Sequence, residues 1–280
     1  MNEQVDNMIA NTWRERHKQT IEEFLGFLNQ RTDVYVLKGG TALMECYGLD
    51  RFSEDNDLDG SNKEKVFEIM DQFCKEFNYD FRVAKDTPMV TRFMVDYKGK
   101  NQKGPKPLKI EISHRRDNIP EREITKRNGI TTYKLNNLAL MKANAYSARD
   151  KIRDLHDVAY IVNNYSSELN PLVLDGLRSA LEQKGIEHIE YVVKTQNDDL
   201  IDKEKLIESS LEAFDKLGLL FAPAEKEISI PFQRDKNGQI SRDDVSCILD
   251  RANSNKNNNK TTSLEQAGNG SLEDVALKRE

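Results

Sequence analysis

Cysteine is scarce in this chain, and long apolar runs are missing. Three cysteines, Cys46, Cys74 and Cys247, are scattered over 280 residues without a C-x-x-C pair. Such spacing argues against a zinc ribbon or a disulfide scaffold and fits reduced thiols in a cytoplasmic protein. No apolar run approaches the ~18 residues of a membrane span. The opening MNEQVDNMIANTWRERHKQ is polar and lacks the apolar stretch of a secretion signal. With 37% hydrophobic and 32% charged residues and a mean hydropathy of -0.74, the expectation is a hydrophilic cytoplasmic protein with no membrane partner.

An overall positive charge is missing too. The formal net charge is -6, which by itself does not attract a polyanion. The average hides a local reversal. Between Lys98 and Arg127, ten Lys or Arg stand against four acids. A strip of this kind either tracks a phosphate backbone or is a solvated, flexible loop.

The most informative stretch that is present runs from residue 37 to 59, LKGGTALMECYGLDRFSEDNDLD. A β-like run, Val34 to Leu37, ends in Gly39-Gly40. A short helical pattern follows, and the chain returns as Ser53-x-Asp55-x-Asp57. Adjacent glycines let a backbone approach a triphosphate, and a helix opening at Thr41 points free N–H groups at the anion. Asp55 and Asp57 are two apart, so on a strand both project from one face. Two carboxylates on one face can hold Mg²⁺ and leave room for phosphate oxygens. This order is what a nucleotidyl-transfer site needs.

The patterns along the chain give an α+β half followed by a helical half. Residues 4–29 read as a helix with Ile21, Phe24, Leu25 and Leu28 inward. Strands follow at 33–37 and 55–59. Ser61 and Glu64 have capping-box spacing and open a helix through Phe77, with Val66, Ile69, Met70 and Phe73 inward. Residues 80–84, 89–97 and 108–112 read as strands. The domain expectation is an α/β unit over 1–133, a helical unit over 134–222, a short extension over 223–252 and a disordered tail over 253–280, too poor in apolar residues to offset ordering entropy.

Two further positions stand out. In the alternating run Leu108 to Ile112, Glu111 faces away from Ile110 and Ile112. It is either a solvent-facing acid or, beside the Asp55/Asp57 strand, a third carboxylate that orients or deprotonates an attacking hydroxyl. Lys142 lies among small and apolar residues of a helix, where it either snorkels to solvent or holds a phosphate. Arg153, Asp154 and Asp157 open the next helix, where the acids also serve as caps for the macrodipole. Residues 235–244 mimic a calcium loop, but Gln233 stands in the first ligand position and Asp244 replaces the final Glu. His17, His114 and His188 lack metal-ligand spacing, and His114 is expected on the surface.

Taken in order, Lys38-Gly39-Gly40-Thr41-Ala42-Leu43, Arg51-Phe52-Ser53-Glu54-Asp55-Asn56-Asp57-Leu58, Lys142 and Arg153-Asp154-Leu155-His156-Asp157 resemble the AbiEii/AbiGii-type toxins. These belong to the DNA polymerase β-like nucleotidyltransferases. The resemblance covers about residues 30–165. It implies an α+β fold with a small mixed β-sheet core flanked by helices, followed by an α-helical C-terminal domain. It also implies that Lys38, Gly39, Gly40, Thr41, Ser53, Arg153 and Asp154 surround the NTP, and that Asp55, Asp57 and Glu111 bind Mg²⁺ or Mn²⁺. Asp55, Asp57, Glu111, Lys142 and Asp157 would form the catalytic set. The implied reaction moves an NMP from an NTP to an acceptor, with an RNA such as tRNA and a cognate antitoxin protein as partners. Asn56 and His156 depart from the family pattern, which carries an apolar residue and an aromatic there. His156 is expected to be a packing substitute. Transfer to a small molecule or protein, and nucleotide binding without turnover, are the alternative functions. The intact Asp55/Asp57 pair argues against the last.

Overall fold

The computed structural model describes residues 3–97, 106–116 and 118–220. The expected extension, the expected disordered tail, the calcium-like loop, Cys247 and the basic residues Lys98, Lys100 and Lys103 lie outside them.

The chain opens with α1 (Glu3–Arg31), β1 (Val36–Lys38), α2 (Gly39–Tyr47), β2 (Asp55–Asp59) and α3 (Lys63–Phe77). Three strands follow, β3 (Asp80–Asp86), β4 (Val90–Asp96) and β5 (Leu108–Ser113), and then the hairpin β6 (Ile124–Arg127) and β7 (Ile130–Tyr133). Five helices complete the described chain: α4 (Leu135–Ala148), α5 (Ile152–Tyr165), α6 (Pro171–Lys184), α7 (Glu187–Thr195) and α8 (Lys203–Lys216). The strands form one mixed sheet in the order β3-β4-β5-β2-β1-β7-β6. The β1–β7 and β2–β5 pairs are parallel, and the other pairs are antiparallel. This is the α+β sheet core with a following run of helices that the sequence suggests.

One face of the sheet carries the core. Ile21, Phe24, Leu25 and Leu28 of α1 and Val66, Ile69, Met70 and Phe73 of α3 are all buried, as their spacing predicts. The Phe24 and Phe73 rings meet edge to face at 5.3 Å, and Phe67 meets Phe93 of β4 at 5.1 Å. Each such ring contributes about 1.5–3 kcal/mol by leaving water. In β5, Leu108, Ile110 and Ile112 turn into this core, so Lys109 and Glu111 emerge on the opposite face. Among the helices, α5 packs against both α4 and α8. Among the described residues, no helix is long and apolar enough to cross a membrane.

Three local expectations are corrected. The cap of α3 is Asn62, whose side chain accepts from the Lys65 N–H at 2.9 Å, rather than Ser61. Gly60 packs so closely on Tyr35 that a Cβ would lie 2.4 Å from the ring, and Tyr35 in turn donates to the Asn62 carbonyl. Those contacts set the helix entry one residue later, where Asn caps as well as Ser. His114 is buried, bonded to the Gly60 carbonyl and the Thr91 hydroxyl, instead of lying on the surface. The helix after the glycine turn begins at Gly39, not Thr41. The β6–β7 hairpin was not anticipated, although Asn128-Gly129 is its signal: both residues have positive φ, 51° and 78°, as a two-residue hairpin turn requires.

Candidate active site

Three strand pairings place charged residues in one row. Lys38 of β1 lies opposite Asp57 of β2, Asp57 opposite Glu111 of β5, and Glu111 opposite Arg92 of β4. Register partners project to the same side, so four strands set a cation, two carboxylates and a second cation across one face. Asp55 and Asp59 flank Asp57 on that same face, two residues away in each direction. Carboxylates this close repel, and each one has a cation at hand. Arg92 Nε reaches Glu111 at 2.7 Å, and Lys38 holds Asp59, which also accepts from the Tyr133 hydroxyl at 2.8 Å. The Lys109 ammonium lies 2.8 Å from Asp55 and 3.7 Å from Asp57. Burial raises the Asp57 pKa above the ordinary aspartate range. Asp55 and Glu111 push it the same way, while Lys109 and Lys38 oppose the shift.

The glycine turn presses on this row. Gly39 has φ +77°, and a Cβ there would lie 3.2 Å from an Asp57 carboxylate oxygen. A Cβ on Gly40 would lie 2.8 Å from both Arg51 Nη2 and Ser53 Oγ. Glycine is thus required twice, once for backbone conformation and once for close approach. Thr41 is fully buried. Its hydroxyl donates to the Asp55 carbonyl and shares a 2.9 Å hydrogen bond with Ser53, which fastens α2 to the head of β2.

Behind Gly40 lies a buried ionic group. Asp157 of α5 receives two hydrogen bonds from Arg51, at 2.6 and 2.7 Å, and one ion pair at 2.5 Å from Lys142 of α4. Burial alone would raise the Asp157 pKa, but Lys142 and Arg51 hold it below the ordinary aspartate range. Asp157 has no exposed surface, so it acts on its surroundings chiefly through those two cations, with His156 Nδ1 a further 3.9 Å neighbour. His156 is packed nearby with its pKa lowered, burial being the main cause.

The last two predicted residues are engaged elsewhere. Asp154 is buried and takes a forked pair of bonds from Arg149, at 2.6 and 3.0 Å. Arg153 spans Asp198 and Glu54, the residue next to Asp55. It lines a cavity of about 490 Å³ together with Trp13, Glu54, Lys106 and Asp198. The structure thus gathers Lys38, Gly39, Asp55, Asp57 and Glu111 on the sheet face and Gly40, Ser53, Lys142 and Asp157 beside it. Thr41 and Asp154 are sealed by internal partners. Arg51, Arg92, Lys109 and Arg149 were not singled out from sequence, because their significance lies in strand register and in partners far along the chain. Among the described residues, no three His, Cys, Asp or Glu side chains form a finished metal-binding group.

The described members of the basic strip are engaged in different ways. Among its described members, Lys109 is turned into the site, Arg116 pairs with Glu123 and Tyr133, and Arg127 bonds the Cys46 carbonyl. Arg115, Arg122 and Lys126 are exposed.

A family profile described as "Nucleotidyl transferase AbiEii toxin, Type IV TA system" matches residues 6–230. Among solved structures, JHP933 from Helicobacter pylori is 28% identical, with a TM-score of 0.60, over 74% of this chain and 91% of that one. A candidate nucleotidyltransferase from H. pylori is 27% identical, with a TM-score of 0.59, over 80% of this chain and 100% of that one. No curated protein matches at a significant level.

Proposed function

Since the chain belongs to the AbiEii family of nucleotidyltransferase toxins, we propose that it transfers an NMP from an NTP to an RNA acceptor, in a divalent-metal-dependent reaction antagonised by a cognate antitoxin. The observation that carries this reading is the row Lys38–Asp57–Glu111–Arg92, with Asp55 beside it and the Gly39-Gly40 turn packed against it.

The donor set fits Mg²⁺ or Mn²⁺. Asp55 and Asp57 present hard oxygens on one face, and the Lys109 ammonium between them marks a place where a cation is favoured. Magnesium is commonly held by one or two carboxylates plus substrate phosphates, so a finished protein cage is not required. When bound, such an ion would neutralise phosphate oxygens as charge develops on them. In this reading Asp55 and Asp57 are its ligands, and Glu111 is the third carboxylate, placed to accept the acceptor hydroxyl's proton. The hydroxyl oxygen bonds to the α-phosphorus, and pyrophosphate departs. The glycine turn and the first N–H groups of α2 hold the triphosphate. Ser53 and Lys142 stand beside it, and Asp157 sets Lys142 in place. Arg149, anchored by Asp154 and with its head exposed, is a further phosphate partner. The cavity lined by Trp13 and Arg153 accommodates the acceptor end.

Incubation with each α-labelled NTP, Mg²⁺ and total tRNA tests this reading. Label should enter RNA with one preferred NTP and should disappear with Asp55→Ala, with the fold unchanged by circular dichroism. The loss should be about a hundredfold or more, the scale of several kcal/mol of charge stabilisation. The acceptor KM should rise steeply with salt, as counterion release demands. A KM independent of salt would transfer the reading to a small-molecule or protein acceptor. Near-normal activity of Asp55→Ala would overturn it.

A further inference from the structure

Among the described residues, Lys109 is the one basic residue of the sheet face that touches both aspartates of the Asp-x-Asp pair. It lies on β5 in register with Asp55 across the parallel β2–β5 ladder. Its ammonium stands 2.8 Å from Asp55 Oδ2 and 3.7 Å from Asp57 Oδ1, with only 26% of the side chain exposed. The two cations of the row have their own carboxylates, Lys38 with Asp59 and Arg92 with Glu111. Asp55 and Asp57 are therefore neutralised chiefly by Lys109.

We propose that Lys109 is a resident counter-ion of the Asp55/Asp57 pair that a divalent metal must displace, and that it thereby makes metal binding depend on the nucleotide. The physical argument is competition for the same oxygens. A metal arriving alone must separate a half-buried ion pair and leave an ammonium without a partner, which is costly. A metal arriving with a triphosphate brings anionic oxygens that the released ammonium can meet, so the cost is offset. Metal and nucleotide then favour each other, and by linkage each raises the other's affinity by the same factor. Lysine suits the role because its point charge sits on a flexible stem that can swing between partners.

The inference rests on Asp55 and Asp57 being metal ligands, and variants at Lys109 and at Asp55 separate the two claims. Titration with Mn²⁺ alone, followed by electron paramagnetic resonance, should show weak binding to the parent protein. Lys109→Met should bind Mn²⁺ at least about tenfold more tightly, and adding a non-hydrolysable NTP analogue should sharpen its binding less than it does in the parent. Lys109→Arg, which keeps the charge, should resemble the parent. Lys109→Gln gives the same readout should the methionine variant fold poorly. Equal or weaker Mn²⁺ affinity in the charge-removing variants overturns the role of Lys109. Should Asp55→Ala bind Mn²⁺ as tightly as the parent, the metal-ligand assignment itself fails, and the role of Lys109 falls with it.

Discussion

Arg51 and Asp157, 106 residues apart, join through two hydrogen bonds of 2.6 and 2.7 Å between a guanidinium and a carboxylate that water scarcely reaches. The pair ties the loop after α2 to α5, and Lys142 of α4 completes it. One buried carboxylate thus holds the glycine turn and the helical part in register.

Asp157→Asn leaves Arg51 and Lys142 in a dry site without their counter-charge. Removing one partner of a buried pair costs about 3–5 kcal/mol, which urea unfolding at pH 7 should register. The sign of the pH dependence follows from the lowered folded-state pKa of Asp157. Its stabilisation is present above the unfolded aspartate value of about 3.9 and is lost as pH falls through the lower folded value. The gap between parent and variant should therefore close below about pH 4. A gap that stays constant down to pH 3 would contradict the buried-carboxylate account.

Gly40→Ala places a methyl 2.8 Å from Arg51 Nη2 and Ser53 Oγ. Neither neighbour moves freely, since Arg51 is gripped by Asp157 and Ser53 by Thr41. Overpacking of this kind costs about 1–3 kcal/mol, visible as a lower melting temperature. NTP transfer should fall more than the stability loss explains, because the turn itself shifts. A variant with parental stability and turnover would show that the contact is slack.

Lys142→Ala keeps the Arg51–Asp157 fork, so the chain should still fold, with a smaller loss of stability than Asp157→Asn. If Lys142 holds the triphosphate as proposed, losing that charged hydrogen bond should weaken NTP binding by about 1–3 kcal/mol, measurable by calorimetry. Unchanged affinity and unchanged turnover would leave Lys142 as a structural partner of Asp157 alone.

Asn56 is fully buried on the core side of β2, and neither its amide nitrogen nor its amide oxygen has a hydrogen-bond partner among the described residues. An unpaired buried amide costs about 1–3 kcal/mol. Asn56→Val, with strand propensity and no polar atoms, should raise the melting temperature and leave turnover unchanged. A fall in melting temperature would mean that the amide is satisfied by ordered water.

Much of this protein is legible in the one-dimensional pattern because periodicity is a local property. The inward faces of α1 and α3, the alternation of β5, and the Gly39-Gly40 to Asp55-x-Asp57 progression all depend on residues a few positions apart. The same-face placement of Asp55 and Asp57 follows from strand geometry alone. The β6–β7 hairpin has one local sign, Asn128-Gly129, but its short strands carry too little alternation to be read from the sequence.

Only the tertiary structure decided which charges meet. Glu111 faces Asp57 because β5 pairs in parallel with β2, a register that no spacing within either strand encodes. Arg51 and Lys142 find Asp157, and Lys109 bridges Asp55 and Asp57, because folding brings distant segments together. Burial then decides what each charge can do. It leaves Asp157 a carboxylate that only positions cations, Thr41 a latch within the fold, and Asp55 and Asp57 a half-exposed pair open to a cation.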